Sequence, residues 1–392
     1  MLYRKVPKSG ESLSILGFGC MRFPQMNGKI VEEKALNLIE TAMEHGINYF
    51  DTAFVYHNGE NEKFLGKSII PKYRNSIKVA TKLPPWHVNI HDDMEKLFNS
   101  QLKKLRTDYV NYYLVHGIDC KATWERMKSL GLLDFLNKLK KNGYILNAGF
   151  SYHGDLLTFK EIVDEYDWDM CQIQYNYLDE NNQAGTEGLE YAAGKNLGVV
   201  IMEPLRGGNL VKNIPYEVQD LLKDSQINKT PAELALRWIW NHPEVTVVLS
   251  GMNGESQILE NSCIADNAYA NSMCVKDLFA VNTIKSIYKK LMKVECTGCK
   301  YCMPCPSGVN IPLCFELLNK KYMFNDSRVI LEYYNSLFNL STNERSSPSL
   351  CKQCGICEKK CPQKIPIRKM LKKTFKEFES LRVKLLFNLK RH

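Results

Sequence analysis

The chain is as informative in what it lacks as in what it carries. No apolar run in its 392 residues approaches the roughly 20 that cross a bilayer, so the sequence predicts no transmembrane segment. Met1–Gly10 contains no apolar h-region, and the expectation is a cytoplasmic protein without a secretion signal. No low-complexity tract stands out. No Gly-rich dinucleotide fingerprint follows the first β-rich run, which argues against an open, doubly wound sheet. A hydrophobic share of 44% and a charged share of 24% are ordinary for a globular protein.

Charge and cysteine are both unevenly spread. Residues 291–392 hold 19 Lys/Arg against 8 Asp/Glu, whereas the first 290 hold 33 against 35. Such a surplus suits nucleic acid, a membrane surface or an acidic protein. It also offsets the negative charge of a thiolate-bound iron–sulfur cluster, and no nucleic-acid partner is expected. Of the 14 cysteines, eight crowd into two short runs near the end. A secreted disulfide scaffold is small and cysteine-dense throughout; this pattern points to reduced, metal-binding thiols.

Before those runs, β-rich segments alternate with amphipathic ones. Strands are predicted near Ile15–Gly19, Tyr49–Ala53, Ile77–Leu83, Tyr109–Gly117, Ile145–Ser151, Met170–Tyr175, Val199–Pro204 and Val245–Gly251. Helices are predicted at Val31–His45, Asp92–Leu105, Trp124–Lys141 and Pro231–His242, with a hairpin over Arg4–Gly17. Eight strand–helix repeats in under 300 residues imply a closed α/β barrel of the (β/α)8 TIM type. The expected domains are a barrel at 1–290, a small α-helical, ferredoxin-like iron–sulfur domain at 291–366 with a helical insertion, and a basic amphipathic helix at 367–392. That last helix, with Ile367, Leu371, Phe378, Leu381, Leu385 and Leu389 on one face, is expected to dock on the barrel.

Barrel enzymes place their chemistry at the C-terminal strand ends. Those ends offer Asp51 with Tyr56, then Lys82, then His116. A tyrosine hydroxyl can protonate a carbonyl oxygen, but its usual pKa of about 10 is high for the task. A nearby lysine would lower it, an aspartate would hold that lysine, and a histidine would orient the carbonyl.

The stretches Gly17-Phe18-Gly19-Cys20-Met21-Arg22, Phe50-Asp51-Thr52-Ala53 with Tyr56, Ala80-Thr81-Lys82 and Leu114-Val115-His116 resemble the aldo/keto reductase superfamily in order and spacing. So do Gly149-Phe150-Ser151, Gln172 to Asn176, Glu203-Pro204-Leu205, Ser250-Gly251-Met252 and Leu259-Glu260-Asn261. The resemblance implies carbonyl reduction or alcohol oxidation with NADP(H) or NAD(H) on a small substrate. It implies Tyr56 as general acid, Lys82 and Asp51 as its tuners and His116 as orienter. Ser151 and Gln172 would face the nicotinamide amide; Ser250, Gly251, Gln257 and Asn261 would lie along the adenosine half. The cofactor pocket departs from the pattern. Tyr152 follows Ser151 where asparagine is usual, and Met202 stands where a tyrosine often stacks. Gly251, Met252 and Gln257 offer no cation for a 2′-phosphate, so weak NADPH–NADH discrimination is expected. Arg206-Gly207-Gly208 is either an alternative phosphate contact or a plain loop.

The second cysteine run reads Cys351-x2-Cys354-x2-Cys357-x3-Cys361-Pro362, the bacterial ferredoxin spacing for a [4Fe–4S] cluster. The first, Cys296-x2-Cys299-x2-Cys302-x2-Cys305-Pro306, is one residue short before its fourth cysteine. The pair resembles two-cluster ferredoxins, which implies Cys361 joining Cys296, Cys299 and Cys302, and Cys305 joining Cys351, Cys354 and Cys357. One cluster with four spare thiols is the alternative. A barrel joined to such a domain resembles iron–sulfur-containing aldo/keto reductase-like oxidoreductases, with a redox partner such as a ferredoxin. The other class of function is an electron-transfer or sensing protein whose barrel no longer catalyses. Hydride carries two electrons and a cluster passes one, and the sequence shows no flavin motif to convert between them.

Overall fold

The computed structural model describes residues 1–224, 227–298, 300–324, 326, 328–338 and 345–380. By contact the chain divides into two compact units: Met1–Gly207 with Lys229–Leu278, and Gly208–Asn228 with Phe279–His392. Segment 208–228 thus groups with the C-terminal part, a division that no composition shift announces.

The first unit is a closed parallel barrel of eight strands. They are β1 (Leu16–Gly19), β2 (Tyr49–Asp51), β3 (Lys78–Leu83), β4 (Val110–Ile118), β5 (Ile145–Tyr152), β6 (Met170–Gln174), β7 (Gly198–Met202) and β8 (Val245–Ser250). Each lies within two residues of its expected place, because strands buried on both faces read as near-continuous apolar runs. β8 pairs with β1 through Val248–Leu16 and Ser250–Phe18, which closes the ring.

The interior is filled by side chains of Tyr49, Ala80, Tyr112, Leu114, Met170, Val200, Val247 and Leu249, joined by Val6 and Leu13. The last two come from the hairpin Tyr3–Lys5 with Ser12–Ser14, so that hairpin plugs one end of the barrel. Gly17 is required by this packing: a Cβ there would come within 2.8 Å of Val247 and 2.9 Å of Leu249.

The expected helix Trp124–Lys141 is two helices, Lys121–Ser129 and Leu132–Lys141. Gly131 breaks it with φ +82°, a conformation that costs glycine little.

The second unit is helical, with Ile311–Phe324, Val329–Leu337 and Ile367–Glu379 as its main elements. Phe315, Leu317, Leu318, Tyr333, Leu337, Ile367, Leu371 and Phe378 form its core, and Cys296, Cys302, Cys305, Cys351 and Cys361 pack against it. The helices between the cysteine runs therefore build the wall on which the cysteine loops rest. The basic helix docks here: Phe378 stacks on Tyr333 at 4.3 Å, Tyr334 donates to the Phe378 carbonyl at 2.9 Å, and Tyr333 donates to Glu379 at 2.7 Å. The apolar residues Ile367, Leu371 and Phe378 of this helix pack within its own unit. Leu381, Leu385 and Leu389 lie outside the described residues.

Candidate active site and cysteine loops

Three successive strands bring the four expected side chains together. Lys82 Nζ, on β3, donates to Asp51 Oδ1 at 2.6 Å and to the Thr52 carbonyl at 2.8 Å. It stands 3.4 Å from the Tyr56 hydroxyl. The Tyr56 and His116 rings meet edge to face, with centroids 6.2 Å apart. Trp86, half exposed, lies 5.2 Å from His116 on the open side.

Burial governs the electrostatics. It raises the Asp51 carboxyl, against the opposing pull of Lys82. It works to lower Lys82, but Asp51 and Tyr56 outweigh it and hold the ammonium charged to higher pH. It also raises Tyr56, with Lys82 pulling the other way. The expectation of a lowered tyrosine is corrected: Lys82 acts in the expected direction, but desolvation of a phenolate beside a carboxylate is larger. At neutral pH the Tyr56 hydroxyl is protonated and is a donor. His116 is lowered to about 3 by burial, then by Lys82 and His153, and is a neutral imidazole at neutral pH.

Two buried polar networks hold these groups. Thr52 donates to Asn61 Oδ1 at 2.6 Å, and Asn61 Nδ2 reaches the Cys20 carbonyl at 2.8 Å and His57 Nδ1 at 2.9 Å. Asn61 thereby ties the ends of β1 and β2 to the turn Tyr56–Gly59, in which His57 and Asn58 have positive φ. Behind β3, Gln101 Nε2 donates to Glu62 Oε1 at 2.7 Å and to the Lys82 carbonyl at 3.0 Å. Thr81 donates to the same Glu62 oxygen at 2.6 Å, and Tyr113 to Gln101 at 2.9 Å.

The residues expected along the cofactor occupy the remaining strand ends. Ser151 Oγ, on β5, accepts from the Gly117 N–H at 2.7 Å. Gln172, on β6, faces Asp51, and its Oε1 is buried with no hydrogen-bond partner among the described residues. Met202 ends β7. Asn261 donates to Ser250 Oγ at 3.2 Å, and Gln257 accepts from the Asn253 N–H at 3.0 Å. Arg206 is engaged: its Nε lies 2.9 Å from Asp179 Oδ2, a carboxylate that Gln174 and Asn176 also address. Gly251 lies under the side chain of Arg22, where a Cβ would come within 2.8 Å of Arg22 Cδ.

In the second unit, Cys296, Cys302 and Cys361 line one cavity with Ile311, Phe315, Ile365 and Ile367. Cys305 and Cys351, from different runs, both act electrostatically on the buried Cys314, and Cys351 acts on Cys357. Cys354 is exposed. Cys299 lies outside the described residues. Among the described residues no three His, Cys, Asp or Glu side chains form a ready site for a single metal ion. Asn319 anchors the approach to the first run by accepting from the N–H groups of Lys293 and Val294 and donating to the Val294 carbonyl at 2.7 Å.

Residues 15–273 match the aldo/keto reductase family. The chain belongs to that family. Residues 295–375 match the 4Fe-4S dicluster domain. L-galactose dehydrogenase of Arabidopsis thaliana is 26% identical over 308 residues, covering 74% of this chain and 95% of that protein. Aldo-keto reductase AKR11C1 from Bacillus halodurans superimposes with a TM-score of 0.61 at 24% identity, over 72% of this chain and 96% of that one. An aldo/keto reductase from Klebsiella pneumoniae in complex with NADP and acetate gives 0.57 at 20% identity, over 70% and 93%. At these identities the structures speak for the fold alone.

In this aldo/keto reductase, strand-end reading missed the groups behind the tetrad. Asn61, Glu62 and Gln101 are each fully buried. Adjacent Asn and Glu heading a short helix were the available signal, because such residues are seldom buried without a partner to serve.

Proposed function

We propose that the protein is a nicotinamide-dependent oxidoreductase that reduces a small carbonyl compound, or oxidises the corresponding alcohol, and that its second unit carries two [4Fe–4S] clusters for electron exchange with a partner such as a ferredoxin. The observation that carries the reading is the placement of Lys82 between Asp51 and Tyr56 with His116 across the tyrosine ring.

The residues suit both cofactors. Gln172 Oε1, buried and without a hydrogen-bond partner among the described residues, is an acceptor for a carboxamide N–H, and Ser151 stands beside it on the neighbouring strand. The thiols of Cys296, Cys302 and Cys361 facing one apolar-walled cavity suit a thiolate-ligated cluster. Reduced nicotinamide, when bound, supplies hydride to the carbonyl carbon.

The chain does the rest. Neutral His116 donates a hydrogen bond to the carbonyl oxygen and orients it. Tyr56 gives its proton to that oxygen as negative charge gathers there, and the Lys82 ammonium stabilises the phenolate left behind. Asp51 keeps Lys82 charged and in place. Trp86 and His116 offer an aromatic wall to the substrate.

Tyr56→Phe tests this on anaerobically purified protein. General acid catalysis typically contributes about 10²–10⁴-fold, so turnover should fall by that order while NAD(P)H binding, read by fluorescence, is retained. Undiminished turnover would remove Tyr56 from the mechanism.

A further inference from the structure

Arg22 ends the short turn Cys20–Arg22 that follows β1, in the ring between β8 and β2. Its side chain spans two other loops. An ideal Cβ on Gly251, beyond β8, would fall 2.8 Å from its Cδ and 3.2 Å from its Cγ. One on Gly207, beyond β7, would fall 3.5 Å from its Nη2. The aliphatic stem therefore lies over Gly251, which leaves room for it by having no side chain, and the guanidinium reaches Gly207 at ordinary contact distance.

Arg22 is exposed. Unlike Arg206, which Asp179 engages at 2.9 Å, it makes no hydrogen bond or ion pair among the described residues. A Cβ on Gly251 would displace the stem that carries this guanidinium across the strand ends. A planar fork of donors held at the rim of the proposed cofactor pocket, with no carboxylate among the described residues to neutralise it, matches the geometry and charge of a phosphate.

We infer that Arg22 is the cation that binds the phosphates of the nicotinamide cofactor, a role that neither Gly251 and its neighbours nor the Asp179-bound Arg206 can fill. This rests on the nicotinamide reading above. A charge-assisted contact of this kind is worth about 1.5–3 kcal/mol, or roughly ten- to a hundredfold in affinity.

The test measures dissociation constants of NADPH and NADH by fluorescence on the full-length protein, its Arg22→Ala and Arg22→Lys variants, and the Gly251→Ala variant with and without Arg22→Ala. Arg22→Ala should weaken NADPH about ten- to a hundredfold, and Arg22→Lys, which keeps the charge but loses the fork, should fall between. An equal loss for NADH assigns the contact to the pyrophosphate, and a loss confined to NADPH assigns it to the 2′-phosphate; either supports the inference. Gly251→Ala must push Arg22 aside, so its penalty should shrink once Arg22 is gone, because residues in contact are coupled. Unchanged constants for both cofactors in Arg22→Ala would overturn the assignment of Arg22 and leave the nicotinamide reading standing. Failure of the unaltered protein to bind either cofactor would overturn that reading and this inference with it.

Discussion

His116 lies beside Trp86 with its Nδ1 buried and without a hydrogen-bond partner among the described residues, and its pKa is lowered to about 3, chiefly by burial. An unfolded chain protonates histidine near pH 6.5. Between those values the unfolded state binds the extra proton, so this residue makes stability fall as pH drops from about 6.5 toward 3. We expect His116→Gln to lose less stability than the parent between pH 7.5 and 5.5, read as the shift in the barrel's denaturation midpoint. Identical shifts in the two proteins would contradict the buried, neutral imidazole. Tyr56 teaches a related lesson. Its partner Lys82 was legible from strand ends, and so was the sign of that partner's influence. The outcome was not, because burial opposes Lys82 and prevails, and depth inside a fold is not written beside any single residue.

At the scale of elements, the eight barrel strands were legible because a strand buried on both faces shows as an apolar run with turn residues on either side. The break at Gly131 was hidden: a lone glycine inside a helical pattern is tolerated often enough to pass unnoticed. Hidden too was the tie between β3 and the helix His91–Leu105, made by Gln101 to the Lys82 carbonyl at 3.0 Å and to Glu62 at 2.7 Å. Gln101→Leu leaves a fully buried carboxylate and a strand carbonyl without that donor. Stranding buried polar groups costs about 1–3 kcal/mol each, so urea unfolding of the barrel should show a loss of at least that order. Turnover should also fall as Lys82 loses its fixed backbone. A neutral result would mean that Lys104, 3.5 Å from Glu62, takes over the carboxylate.

For the whole molecule, the spacing of the paired cysteine runs made an iron–sulfur domain legible, in line with the 4Fe-4S dicluster match over residues 295–375, whereas the support of those runs was not. The helices between the runs read as an interruption; in the structure they supply the core against which the thiols pack. Cys361 shares a cavity with Cys296 and Cys302, well before it in sequence, and from this a specific outcome follows. Cys361→Ala should damage the cluster of the first run more than that of the second. Iron analysis on the parent should give about eight atoms per chain, two cubanes of four, and electron paramagnetic resonance of the reduced variant should show which signal is lost. A parent holding about four irons with a single signal would leave only one cluster.

The path of the chain between its two units bears on how the protein can be taken apart. A module appended to the end of another is joined by one covalent link and can be released by one cut. Here the polypeptide leaves the barrel unit after Gly207, returns at Lys229 and leaves again after Leu278. Three links join the units, and no single scissile bond frees either of them whole. A stop codon after residue 290 would yield a barrel that still bears residues 208–228 but has lost most of the unit to which they belong. Isolating the second unit whole would therefore require taking residues 208–228 together with the C-terminal part, as two pieces of one unit.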